Sequence, residues 1–163
     1  INSFSFFGNK IITTGEGGMI TTNNDELASK VLQLKSQGMD LNKRYWFPII
    51  GYNYRMTNIQ AAIGLAQLEN IEWHLTKREK ITQLYKEYLK NVDGIIFQPE
   101  IPNFKNSYWI TSLLVHEKYG PLEVIMDKLS DFGIETRPFF YPMHILPMYK
   151  ESYGNRRDRK SVV

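Results

Sequence analysis

The sequence predicts an α/β fold in two parts, and three features of it carry that reading. Two β-prone segments, Ile11 to Thr14 and Met19 to Thr22, flank Gly15-Glu16-Gly17-Gly18, a turn that adopts positive φ at little cost. Helical periodicities continue from there as far as about Asn91. From about residue 70 onward the pattern runs helix, strand, strand, helix, strand.

Near the start, Ile11–Thr14 and Met19–Thr22 read as a strand pair joined by the glycine turn. Asn24 or Asp25 offers a side-chain oxygen to cap a helix whose apolar positions are Leu27, Val31 and Leu34, and Gly38 is placed to end it. Residues 39 to 54 are irregular and rich in aromatics: Tyr45, Trp46, Phe47, Tyr52 and Tyr54. Thr57 is placed to cap the next helix, with Ile59, Ala62, Ile63 and Ala66 as its buried face. The small residues Ala61, Ala62, Gly64 and Ala66 predict a central or interfacial position for it. An amphipathic helix from about Ile71 to Asn91 places Ile71, Leu75, Ile81, Tyr85, Tyr88 and Leu89 inward and its Lys, Arg and Glu residues toward water.

Asp93-Gly94 marks a turn, and Ile95–Phe97 and Trp109–Val115 read as strands. Pro121 stands at a helix start, with Leu122, Ile125, Met126 and Leu129 as a stripe ending before Gly133. Ile134–Thr136 reads as a short strand. Residues 137 to 149, with three prolines and four aromatics, read as a structured loop. The expected parts are residues 1–69 and residues 70–157. Residues 158–163 match the translation of a common short-read sequencing adapter and are set aside as a tail foreign to the fold. Both ends read as cut.

Composition excludes several classes. There is no cysteine, so disulfides and thiolate metal sites are ruled out. His74, His116 and His144 lack metal-ligand spacing, and no metal site is expected. No apolar run approaches the roughly 20 residues of a membrane span, and no signal peptide is visible, which fits a cytoplasmic protein. The net charge of +3 gathers at Arg156, Arg157, Arg159 and Lys160, a pattern of solvated charge rather than of nucleic-acid binding.

One residue invites chemistry. Lys10 sits in the aromatic, glycine-containing segment Ser5-Phe6-Phe7-Gly8-Asn9-Lys10. A neutral lysine amine attacks an aldehyde to form a Schiff base. The residues alone equally describe an exposed turn lysine, and favour it.

Three blocks alter that balance. SFFGNK followed by TTGEGGMITTN, then RYWFPIIGYNYRMTNIQAAIGLAQLE, then GIETRPFFYPMHILPMY occur in one order across most of residues 1–150. Together they resemble the DegT/DnrJ/EryC1 family of pyridoxal-phosphate (PLP) sugar aminotransferases. The resemblance implies the C-terminal part of a fold-type-I PLP-dependent transferase: a remnant of the cofactor-binding large domain to residue 69, then a small α/β domain. It implies that Lys10 carries the cofactor and acts as general acid and base. It implies that Ser5 bonds the cofactor phosphate, and that Asn53 reaches the phosphate bound mainly by a partner subunit, so that sites are shared in a homodimer. Arg55, Arg137, Tyr141 and His144 would lie near the substrate.

The branch most similar in wording converts GDP-4-keto-6-deoxymannose to GDP-perosamine with glutamate as amino donor, a step of O-antigen and lipopolysaccharide biosynthesis. The acidic partner of the cofactor's pyridine nitrogen and the ring stacked on it lie upstream of the lysine in this family. Only nine residues precede Lys10, so the chain by itself is expected to be inactive. Two alternatives stand beside this reading. One is a sugar dehydratase of the same family, which carries His at the lysine position; Lys10 speaks against it. The other is a non-catalytic dimerisation or binding module.

Overall fold

The computed structural model describes residues 1–149; the sequence tail at 158–163 lies outside the described residues. The chain divides into two compact units, residues 1–114 and residues 115–163. The boundary expected near residue 69 falls inside the first unit, between two helices.

The first unit opens with β1 (Asn2–Ser5), antiparallel to β2 (Gly18–Thr21), with Asn2 opposite Thr21 and Ser5 opposite Gly18. This corrects the expected pairing: Ile11–Thr14 is not a strand. Its backbone is spent elsewhere, because Thr14 N donates to Phe6 O (3.0 Å) and Thr13 is held by a side chain of a later helix. The loop between the strands is thereby folded back onto Phe6, whose N–H donates to Gly17 O (2.9 Å).

Helix α1 (Asp25–Lys35) starts as expected, with Asn24 Oδ1 accepting from Leu27 N at 2.9 Å. Asp25 and Glu26 in its first turn and Lys35 in its last match the helix dipole. Gly38 ends it in the left-handed region at φ 77°, its N–H returning to Gln33 O (2.9 Å). Helix α2 (Asn58–Leu68) carries a full capping box: Thr57 Oγ1 accepts from Gln60 N, and Gln60 Oε1 accepts from Thr57 N. Helix α3 (Ile71–Leu89) comes after a short break.

Two expected apolar faces are corrected. Ile59 and Ile63 of α2 are 76% and 47% exposed, and no α2 residue is buried. The face of α2 that meets the rest of the unit is instead Gln60, Gly64 and Gln67. On α3 the inward stripe is Arg78, Thr82 and Lys86, spaced by four, rather than apolar residues alone. Thr82, 2% exposed, shares a 2.9 Å hydroxyl–hydroxyl bond with Thr111. Tyr108 is the one buried large hydrophobic residue among those described.

A small sheet pairs β3 (Ile95–Phe97) with β4 (Leu113–Val115), the latter at the division between the units. The expected strand from Trp109 is shorter, beginning only at Leu113. Tyr108 takes a left-handed φ of 46°, and the carbonyl of Trp109 accepts from Arg78 Nη1 (2.6 Å), so neither is free for a ladder.

In the second unit, helix α4 (Leu122–Asp131) starts directly after Pro121. It ends at Gly133, φ 75°, with Gly133 N donating to Ser130 O and Ile134 N to Leu129 O. That closing turn consumes the N–H of Ile134. The expected strand at Ile134–Thr136 does not form. Residues 137–149, expected as a structured loop throughout, hold a 3₁₀ turn at Met143–Ile145 and are helical at 147–149.

Candidate active site

The Lys10 segment is built by local turns. Lys10 N donates to Phe7 O (3.0 Å), and Ser5 Oγ accepts from Phe7 N at 3.4 Å. Ser5 thus closes a turn while its own hydroxyl proton stays available to an outside acceptor. The side chain of Lys10 is half-buried, and no carboxylate among the described residues pairs with it.

The loop just beyond Lys10 is clamped by α2. Thr13 N donates to Gln67 Oε1 (3.0 Å), while Gln67 Nε2 donates back to Thr13 O. One turn of the helix further back, Gly64 faces Thr14, which is 5% exposed; a Cβ there would stand 2.9 Å from Thr14 Cγ2. Gln60 Nε2 donates to Glu16 O (3.3 Å). Gln60, Gly64 and Gln67 occupy one face at helical spacing, so a single rigid element fixes the loop from Thr13 to Glu16. The first two sequence blocks are therefore one structural unit.

Asn53 is positioned by its neighbours. Tyr52 N donates to Leu34 O (2.7 Å) and Tyr54 N to Lys35 O (3.0 Å), capping the open carbonyls at the end of α1. Asn53 bridges to Ser36, and the rings of Tyr52 and Tyr54 stack 5.1 Å apart on one side of the strand-like segment. Successive side chains of an extended segment alternate, so Asn53 points the other way, exposed. The segment's approach depends on Gly38 and Gly51, whose backbones cross so closely that a Cβ on either would collide with the other strand of the crossing. Arg55, next along, is exposed.

Trp109 carried no expectation as a site residue, yet it is set against Lys10. The Lys10 ammonium stands 3.6 Å from the centroid of its indole ring, and Trp109 Nε1 donates to Asn9 O (2.7 Å). Sequence periodicity offers no signal for this, because the two residues lie about 100 positions apart and Trp109 reads as the start of a strand.

Behind Trp109 stands a polar cluster. Glu100 accepts from Lys86 and from Tyr108 Oη (2.8 Å). The bond from Lys86, then that from Tyr108, holds the Glu100 carboxyl below its usual range. The same bond to Glu100 raises Lys86 against the opposing effect of burial. Tyr108 is raised as well, first by its bond to Glu100 and then by burial.

Arg137, Tyr141 and His144 belong to the second unit. Arg137 forms a two-pronged contact with Glu135, Nη2 at 2.8 Å and Nε at 3.2 Å, on an open surface. Tyr141 is 70% exposed, and His144 lies half-buried in the 3₁₀ turn. Among the described residues no cluster of His, Asp or Glu is arranged to hold a metal ion, and no helix is long and apolar enough to cross a membrane.

The donor set fits a phosphate-bearing aldehyde cofactor: an amine without a carboxylate partner, a hydroxyl with a free proton, and an exposed amide on a tethered segment. Comparison with known proteins bears on the family and the cofactor. The sequence profile of the DegT/DnrJ/EryC1/StrS aminotransferase family matches residues 1–162. The chain is 53% identical over 150 residues to a GDP-perosamine synthase of Caulobacter vibrioides, covering 90% of this chain and 40% of that protein. It is 46% identical over 154 residues to a GDP-perosamine synthase of Escherichia coli O157:H7, covering 94% and 41%. Among solved structures it resembles Helicobacter pylori PseC, an aminotransferase involved in the biosynthesis of pseudoaminic acid, with TM-score 0.85, 28% identity and coverage of 96% and 43%. The chain thus spans about two fifths of the length of the curated relatives it matches. Its fold is a partial α/β aminotransferase fold, and the kinship implies pyridoxal phosphate as cofactor. The chain belongs to the DegT/DnrJ/EryC1/StrS aminotransferase family.

Proposed function

We propose that the complete protein transfers an amino group from an amino acid to a nucleotide-linked 4-keto-6-deoxy sugar. The reading is GDP-4-keto-6-deoxymannose plus glutamate giving GDP-perosamine plus 2-oxoglutarate. The observation that carries it is the 44–53% identity to GDP-perosamine synthases across nine tenths of this chain.

In this proposal Ser5 donates its free hydroxyl proton to the cofactor phosphate. Asn53, on its tethered segment, bonds the cofactor phosphate of a second copy, which makes the working unit a homodimer. Pyridoxal phosphate, when bound, supplies the electron-withdrawing ring that lets a proton leave the amine-bearing carbon. Lys10 Nζ accepts that proton from one carbon and returns it to another, and the clamp of Gln67 on Thr13 keeps its loop from drifting. Arg55, Arg137, Tyr141 and His144 orient the sugar nucleotide and the donor carboxylate. The open faces of α2 pack against the remainder of the fold, and the protein works in the cytoplasm.

The test uses the full-length protein with PLP, glutamate and GDP-4-keto-6-deoxymannose, followed by mass analysis of the sugar product. Amino-sugar formation that vanishes in Lys10→Ala, together with the visible absorption of lysine-bound PLP, supports the proposal. Lys10→Arg fails as well, since guanidinium stays protonated and is no nucleophile. Full turnover in either variant, or no amino sugar from any GDP-, TDP- or UDP-linked keto sugar, refutes it.

A further inference from the structure

We propose that Trp109 is a positioning residue for Lys10: its indole face is the seat that holds the free lysine ammonium in place. This rests on the assignment of Lys10 as the reactive lysine. Several restraints converge on the one indole side chain and its backbone. The indole N–H is fixed to Asn9 O at 2.7 Å, the carbonyl of Trp109 to Arg78 at 2.6 Å, and the ammonium of the residue after Asn9, Lys10, lies over the ring at 3.6 Å. Two consecutive residues, Asn9 and Lys10, are thus addressed by two different parts of one ring, its edge and its face.

The ring's own placement is set from both sides. Preceding it, Tyr108 is 7% exposed and strained into φ 46°, with its N–H on Asn106 Oδ1 (2.9 Å) and its hydroxyl on Glu100. Beyond it, Thr111 is bonded to the buried Thr82. Arg78 and Thr82 reach this segment from one face of α3, and Lys86 on the same face bonds Glu100, the acceptor of the Tyr108 hydroxyl, so a single helix anchors the backbone that carries the indole. A left-handed non-glycine backbone persists only where its surroundings over-determine it, which is what this cluster does.

Chemistry gives the arrangement a purpose. A lysine side chain is long and flexible, and an ammonium without a carboxylate partner would otherwise sample many rotamers in water. A tryptophan face attracts the cation through its quadrupole. Unlike a carboxylate, it offers no second charge that would lock the amine in an ion pair. The lysine is kept within reach yet released at small cost when its nitrogen is needed elsewhere.

The experiment uses the full-length protein without cofactor. Ring current from the indole shifts the NMR signal of the Lys10 ε-methylene protons upfield in the wild type. Trp109→Leu abolishes that shift, and Trp109→Phe, which keeps an aromatic face but lacks the N–H, restores part of it. Acetylation of Lys10 by limiting acetic anhydride, read by peptide mass, becomes about fivefold faster in Trp109→Leu and intermediate in Trp109→Phe. An unshifted wild-type signal overturns the proposal without recourse to any variant. Equal acetylation of Lys10 in the wild type and a folded Trp109→Leu overturns it too. The assignment of Lys10 is judged separately, by PLP absorption in wild type against Lys10→Ala: its absence there removes the premise whatever the ring shift shows.

Discussion

Replacing Gln67 tests whether α2 truly fixes the Lys10 loop. Its amide accepts from Thr13 N at 3.0 Å and donates to Thr13 O, two bonds to the same half-buried peptide residue. Gln67→Leu keeps the volume and removes both partners. An unsatisfied buried backbone group costs about 1–3 kcal/mol, and partial access to water recovers some of that, so the pair amounts to about 2 kcal/mol. If the loss is felt as local opening, the Thr13 amide exchanges roughly 30-fold faster with deuterium. Gln67→Glu is the sharper variant. It retains an acceptor for Thr13 N but sets a carboxylate oxygen against Thr13 O, so its cost is at least that of Gln67→Leu. The assay is site-resolved hydrogen exchange on the full-length protein, alongside urea unfolding. Exchange at Thr13 unchanged in Gln67→Leu, with stability within about 0.5 kcal/mol of wild type, would refute the clamp.

Gly51→Ala places a methyl group into the backbone crossing with Gly38 and costs at least about 3 kcal/mol in urea unfolding, whereas Gly8→Ala, with an ordinary 3.7 Å contact to Gly15 O, is nearly neutral. If Asn53 serves a partner subunit, mixing inactive Lys10→Ala and inactive Asn53→Ala protomers restores part of the activity, because one site of the mixed dimer keeps both residues. Proven heterodimers without activity would end that idea. The Glu100 cluster sets a pH window. Its lowered carboxyl contributes stability above the ordinary carboxylate range and loses it as pH falls through the depressed value. Raised Lys86 and Tyr108 contribute below their ordinary values of 10.5 and 10.0 and lose it as pH rises through the raised ones. NMR signals of Tyr108 are therefore expected to stay constant from roughly pH 5 to 10, and Glu100→Gln should remove the acid-side transition.

Much of the local structure is legible in the sequence because local chemistry decides it. Asn24, Thr57, Gly38 and Pro121 mark helix ends through bonds or torsions made within a few residues, and each stands at or beside the predicted end. Lys10, Ser5 and Asn53 stand out through the order and wording of three sequence blocks. Strand partners are not legible in the same way. Ile11–Thr14 has the residues of a strand, but its hydrogen bonds go to Phe6 and Gln67, and Asn2–Ser5 takes the place opposite β2. Residues 109–112 likewise read as strand and are drawn instead onto α3.

The inward faces of the helices differ from the expectation for a related reason. Periodicity ranks side chains by apolarity, whereas α2 meets its neighbour through glutamines and a glycine, since what it must satisfy is a run of unpaired peptide groups. Ile59 and Ile63 keep an apolar pattern that the described residues leave largely or half open. The sequence by itself determined where helices begin and end and which lysine stands in the family's block, because those depend on neighbours in the chain and on recognisable wording. Only the tertiary structure decided that Trp109 faces Lys10 and that one face of α3 anchors the backbone around it. Contacts across about 100 residues depend on which backbone groups remain unpaired after local structure has formed, and no local pattern records that.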